Sequence, residues 1–125
     1  MYNKATLIGR LTRDPEMRTT SSGISVTRFT IAVDRFRRNE NGEKTADFIR
    51  VVAWRRLAEI AGQYLKKGKL VAVEGPLQVD TYEKDGIKRE SAEVIADNFQ
   101  MLDRADQESV SSASHESETS INSVS

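Results

Sequence analysis

A chain of 125 residues, 38% hydrophobic, 30% charged and only 6% aromatic, has room for one folded core with a polar extension rather than two domains. It contains no cysteine, which excludes disulfides and thiolate metal sites, and no apolar run approaches the roughly 20 residues of a membrane helix or forms a signal-peptide core, so a cytoplasmic protein is expected. The formal charge of zero is unevenly spread: residues 1–105 carry 19 basic and 15 acidic groups, a net +4, against −4 from Asp106 to Ser125.

Short alternating segments separated by turn residues dominate the body, which predicts an antiparallel sheet. Ala5 to Leu11 is a first strand, followed by a long basic loop carrying Arg13 and Arg18 and punctuated by Asp14-Pro15 and Ser21-Ser22-Gly23. Val26 to Asp34 is a second, half-buried strand. Phe29, Ile31 and Val33 share its core face, while Arg28, Thr30, Ala32 and Asp34 occupy the other. A turn at Asn39, Asn41 and Gly42 leads into the third strand.

That third strand, Phe48 to Trp54, separates two chemically different faces. Ile49, Val51 and Ala53 are small and aliphatic and belong in the core. Phe48, Arg50, Val52 and Trp54 put two large rings and a guanidinium on the opposite side. Isolated rings on a surface commonly pack beneath a loop or another subunit. A cation set between them points to binding.

Leu57, Ile60, Ala61, Tyr64 and Leu65 follow helical spacing for about three turns, with Gly68 as the expected C′ residue and Lys66 and Lys67 in the last turn, where cations complement the helix dipole. Leu70 to Val73 reads as a buried strand and Gly75-Pro76 as a bend. Leu77 to Tyr82 then pairs with Arg89 to Ile95 around Asp85-Gly86, and a last strand runs to Leu102. The terminal stretch has eight serines and isolated apolar residues at Val110, Ala113, Ile121 and Val124, too few to offset chain entropy, so a disordered tail is expected.

Strand, strand, strand, helix, strand, protruding hairpin and closing strand is the order of an OB-fold. This is an all-β class with one helix, a five-stranded Greek-key barrel whose strand 2–3 face and loops hold oligonucleotides or oligosaccharides. The expected division is residues 1–104 as the OB domain and 105–125 as a disordered, serine-rich acidic tail.

The residues also resemble a family, the bacterial single-stranded DNA-binding proteins. The likeness runs through Asn3-Lys4, LIGRLTRDPEMR (7–18), FTIAVDR (29–35), DFIRVVAWRRLAEIAGQYLKKG (47–68), VEGPL (73–77) and EVIADNFQML (93–102), covering nearly all of residues 1–102. It implies sequence-nonspecific binding and protection of single-stranded DNA in replication, recombination and repair. It also implies a homotetramer associated with the nucleoid, with neither catalysis nor cofactor. Family positions for base stacking fall on Phe48, Trp54 and Tyr82, and those for backbone contact on Lys4, Arg18, Arg50, Arg56 and Lys67. Phe36 is offered as a further ring, one residue before the usual aromatic position, here Arg37.

Three other features depart from the family pattern. Thr19 stands where many members carry a ring. The hairpin strand reads Gln78-Val79-Asp80-Thr81-Tyr82, with an acid where cations are usual. The tail ends Ile121-Asn122-Ser123-Val124-Ser125 rather than in an acidic run with an apolar tip, so recruitment of replication and repair proteins by the usual mode is not expected.

Enzyme readings find no support in motif: there is no P-loop and no dinucleotide fingerprint, and the lone His115 has no second histidine with which to hold a metal. The alternative from another class is an accessory OB module, of primosomal or paralogue type, whose aromatic face docks a protein. Arg50 between the rings argues against it, since the centre of a protein-docking face is depleted in charge.

Overall fold

The computed structural model describes residues 1–103 and the backbone of Ser109–Ser111. Among these the elements run β1 (Ala5–Leu11), β2 (Glu16–Thr19), β3 (Ser25–Asp34), β4 (Ala46–Trp54), α1 (Arg55–Tyr64), β5 (Leu70–Gly75), β6 (Leu77–Lys84), β7 (Ile87–Ile95), β8 (Asn98–Met101) and β9 (Ser109–Ser111). Every strand expected from the alternation is present. Two are additional: β2 lies within the loop after β1, and β9 within the stretch expected to be a tail, the rest of which falls outside the described residues.

The strands form one sheet in the order β6-β7-β4-β3-β1-β5-β8-β9, with β2 flanking β3. All pairings are antiparallel except β4 with β7. Leu11, Phe29, Ile31, Val51, Val71, Val73, Val94 and Phe99 contribute to one core cluster that also takes in Leu57, Ala58, Ala61 and Leu65, so the sheet curls around apolar side chains drawn from six strands and the helix. Thr27 is the buried hydroxyl in that layer, and its Oγ1 donates to the Ala58 carbonyl of α1 at 2.7 Å.

Glycine is required where backbones close up. A Cβ on Gly75 would run into the Ile95 carbonyl. Asp85 and Gly86 both have positive φ, 55° and 76°, as a two-residue turn joining twisted strands demands. No helix among the described residues is long and apolar enough to cross a membrane.

The helix ends earlier than its periodicity predicts. It closes at Tyr64, where Leu65 turns extended and buries its side chain in the core while its amide donates to Ala61. Lys66 and Lys67 therefore lie beyond the last turn and do not cap the dipole. Gly68 is not a C′ residue. Its φ of 90° serves the following turn, in which Lys69 N–H reaches the Lys66 carbonyl and Gly68 N–H reaches Leu11 of β1.

Candidate nucleic-acid interface

Strand parity on β4 is as the sequence predicts, with one exception. Val51 and Ala53 are fully buried and Ile49 packs against the core, while Phe48 is 68% exposed, Trp54 40%, and Arg50 exposed between them. Val52, expected to share the open face, is only 1% exposed. It sits mid-row, between Arg28 of β3 and Ile95 of β7, so neighbours on both sides remove it from water.

The register shows how this face is assembled. Trp54 stands opposite Val26, which in turn stands opposite Arg18 of β2, so a ring and a guanidinium end the same row. Arg50 has Thr30 on one side and Glu93 of β7 on the other, and Glu93 continues to Gln78 of β6. Paired residues share a face and the side-chain period is two, so Tyr82, opposite Arg89, extends the Arg50 face onto the hairpin. Tyr82 is 48% exposed. The structure thus brings Phe48, Arg50, Trp54, Arg18 and Tyr82 onto one continuous surface.

Three expected residues border this surface from neighbouring segments. Arg56 lies in the first turn of α1, exposed, directly after the Trp54-Arg55 corner. Arg55 takes φ 58°, which lets the chain pass from strand to helix without an intervening loop or side-chain cap. Lys67 follows α1, and its amide donates to Asp14 Oδ1 at 2.9 Å, tying the loop after α1 to the one after β1. Phe36 projects fully into solvent from the β3–β4 loop, outside any strand. Lys4 stands apart: it precedes β1, with Nζ 3.4 Å from Glu74 Oε1 of β5.

The β3–β4 loop is clamped at its base. Arg35 donates from Nη2 to Asp47 Oδ1 at 2.7 Å and from Nε to both carboxylate oxygens at 3.2 Å. That fork of hydrogen bonds, reinforced by opposite charge, holds the Asp47 carboxyl below the usual carboxylate range and raises the Arg35 guanidinium. Glu74 is likewise lowered, chiefly because Asn98 Nδ2 donates to it at 2.8 Å, with further help from the Lys4 charge.

Sequence reasoning missed one feature of the site. A groove of about 210 Å³ opens beside β4, lined by three arginines, Arg13, Arg28 and Arg50, and three acids, Asp14, Glu16 and Glu93, with Thr30 among them. The polar parity of Arg28 was legible, but its position opposite Val52 depends on a register between distant segments. Among the described residues no cluster of three or more histidine, cysteine or acidic side chains could hold a metal ion.

Comparison with known proteins supplies the family. Residues 2–102 match the model of the Single-strand binding protein family. The chain is 50% identical over 107 residues to Single-stranded DNA-binding protein 2 of Streptococcus agalactiae serotype III (strain NEM316), covering 86% of this chain and 82% of that one. It is 49% identical over 104 residues to Single-stranded DNA-binding protein 1 of Staphylococcus aureus (strain Mu50 / ATCC 700699), covering 82% and 67%. With the Single-stranded DNA-binding protein of Lactiplantibacillus plantarum (strain ATCC BAA-793 / NCIMB 8826 / WCFS1) the identity is 46% over 110 residues, 86% of this chain and 55% of that one. A match across the whole β1–β8 body, on a sheet that carries rings and cations on one exposed face, makes this chain a member of the single-strand binding protein family.

Proposed function

We propose that the protein binds single-stranded DNA without sequence preference, protecting it during replication, recombination and repair. The observation that carries this reading is the exposed face of β4, where Arg50 lies between Phe48 and Trp54. Every base has a π-face, so stacking on Phe48, Trp54, Tyr82 and the projecting Phe36 is indifferent to sequence and worth about 1–3 kcal/mol per base. Arg18, Arg50, Arg56 and Lys67 supply charge for the phosphates between those bases, each phosphate neutralised contributing about −0.7 to the slope of log affinity against log salt. Lys4 is assigned to the same path, reached by exchanging its Glu74 partner for phosphate.

The binding unit is a homotetramer in this proposal, working in the nucleoid. Support for assembly comes from apolar side chains exposed on strands other than β4, such as Ile8 on β1 and Val79 on β6. Sedimentation equilibrium tests it, and a single species of monomer mass would overturn it.

The test of DNA binding uses Trp54, the chain's one tryptophan. Titration with oligo-dT at two salt concentrations is expected to quench its fluorescence to saturation, with much weaker binding of duplex. Absence of both quenching and binding at low salt would overturn the reading.

A further inference from the structure

Phe48 and Trp54 are six residues apart on one strand, about 20 Å at 3.3 Å per residue. DNA stacked on both rings must carry several phosphates across that interval. The groove between them brings together Arg13, Arg28 and Arg50. None of the three makes an ion pair or a side-chain hydrogen bond among the described residues. Three carboxylates share the groove: Asp14 accepts from the Lys67 amide and keeps its charge, Glu16 pairs with Arg18 at 2.6 Å in the unbound chain, and Glu93 lies opposite Arg50 in the β4–β7 pairing.

We propose that Arg13 and Arg28 join Arg50 in a phosphodiester subsite that holds the DNA backbone between the two stacking rings, with Glu93 opposing the ligand's charge. The inference rests on the single-strand reading above and extends it to residues not assigned there. Guanidinium groups suit this role because their planar fork matches phosphate oxygens in a bidentate manner. Arg28 is well placed for it. It faces Val52 across the ladder, one row from Arg50 and one row from Trp54. Glu93 beside Arg50 sets a limit on how tightly the backbone is held, since a phosphate entering the groove meets a like charge.

The alternative occupant is a base edge. A carboxylate accepts from base amino groups, so there Glu93 would contribute to binding rather than oppose it. The two occupants predict opposite signs for the same variant.

The experiment measures the affinity of the full chain for oligo-dT and for oligo-dC, which bears base amino groups, across a salt series by DNA anisotropy, for the unaltered protein, Arg13→Ala, Arg28→Ala, Arg28→Lys, Glu93→Gln, and Lys88→Ala as a control from the opposite face of the hairpin. Arg13, Arg28 and Lys88 are exposed and Glu93 is half-buried, so thermal unfolding of each variant checks the fold. Arg13→Ala and Arg28→Ala are each expected to flatten the salt slope by about 0.7, with several-fold weaker binding at low salt. Arg28→Lys keeps the slope, Glu93→Gln tightens binding, and Lys88→Ala changes neither. Unchanged slopes in both alanine variants, with oligo-dT still bound, would overturn the subsite alone. Weaker binding in Glu93→Gln, largest for oligonucleotides bearing base amino groups, would overturn it in favour of a base-edge site. Failure of the unaltered chain to bind oligo-dT would overturn the single-strand reading and the subsite together.

Discussion

The hydroxyl of Thr27 donates to the carbonyl oxygen of Ala58 across 2.7 Å, and both residues are wholly buried. This bond links the strand beside β4 to the helix that follows β4, so it fixes α1 relative to the exposed rings. Thr27→Val keeps the shape and removes the donor. It is expected to destabilise the fold by about 1–3 kcal/mol in urea unfolding, whereas Thr27→Ser should cost less because the bond survives. Equal stability of Thr27→Val and the parent would mean that the bond contributes nothing.

Truncating the rings separates stacking from charge. Phe48→Ala and Trp54→Ala should each weaken oligo-dT binding by about 1–3 kcal/mol while leaving the salt slope close to that of the parent. Anisotropy of labelled DNA is the appropriate readout, because Trp54→Ala removes the intrinsic fluorophore. If Arg50 between them couples the two sites, the double variant will depart from the sum of the singles.

Arg55 occupies a left-handed backbone conformation that costs a side-chain-bearing residue about 1–2 kcal/mol. Arg55→Gly is therefore expected to raise stability by up to about 1 kcal/mol, and Arg55→Val to lower it, in denaturant unfolding. A loss of stability in Arg55→Gly would show that the side chain contributes more than the backbone costs.

Acid should weaken the fold through two identified carboxylates. Asp47, held down mainly by hydrogen bonds from Arg35, and Glu74, held down mainly by the Asn98 amide, both have lowered folded pKa values. Each contributes stability that is present above its unfolded pKa, about 4, and is lost as pH falls from there through the folded value. Stability measured against pH is expected to drop below about pH 4, and Asp47→Asn and Asn98→Ala should each make that drop shallower. An unchanged acid limb in both variants would place the titrating groups elsewhere.

How much of this was legible in the chain depended on the range of the interaction. The two faces of β4 follow from a period of two within seven residues, so Phe48, Arg50 and Trp54 emerged from parity alone, and Tyr82 joined them through the resemblance. Burial of Val52 did not emerge, because it is set by Arg28 and Ile95 on strands far away in sequence. The same distance hid the groove of Arg13, Arg28 and Glu93. β2 was missed for a different reason: Glu16–Thr19 is exposed throughout, so its pairing leaves no alternating apolar signal. The helix end was misplaced because burial of Leu65, not glycine, stops α1.

β4 is paired along both edges, with β3 through nine residues and with β7 through three. The rings and the guanidinium therefore ride on a strand that cannot shift without opening the sheet on two sides. Its amides should be among the slowest in the protein to exchange with solvent, opening only with global unfolding. A ligand held by such a strand meets a surface already in its bound form, so little ordering of the protein backbone opposes binding. Occupancy should then register as a rise in the melting temperature of the whole domain rather than as protection of a single loop.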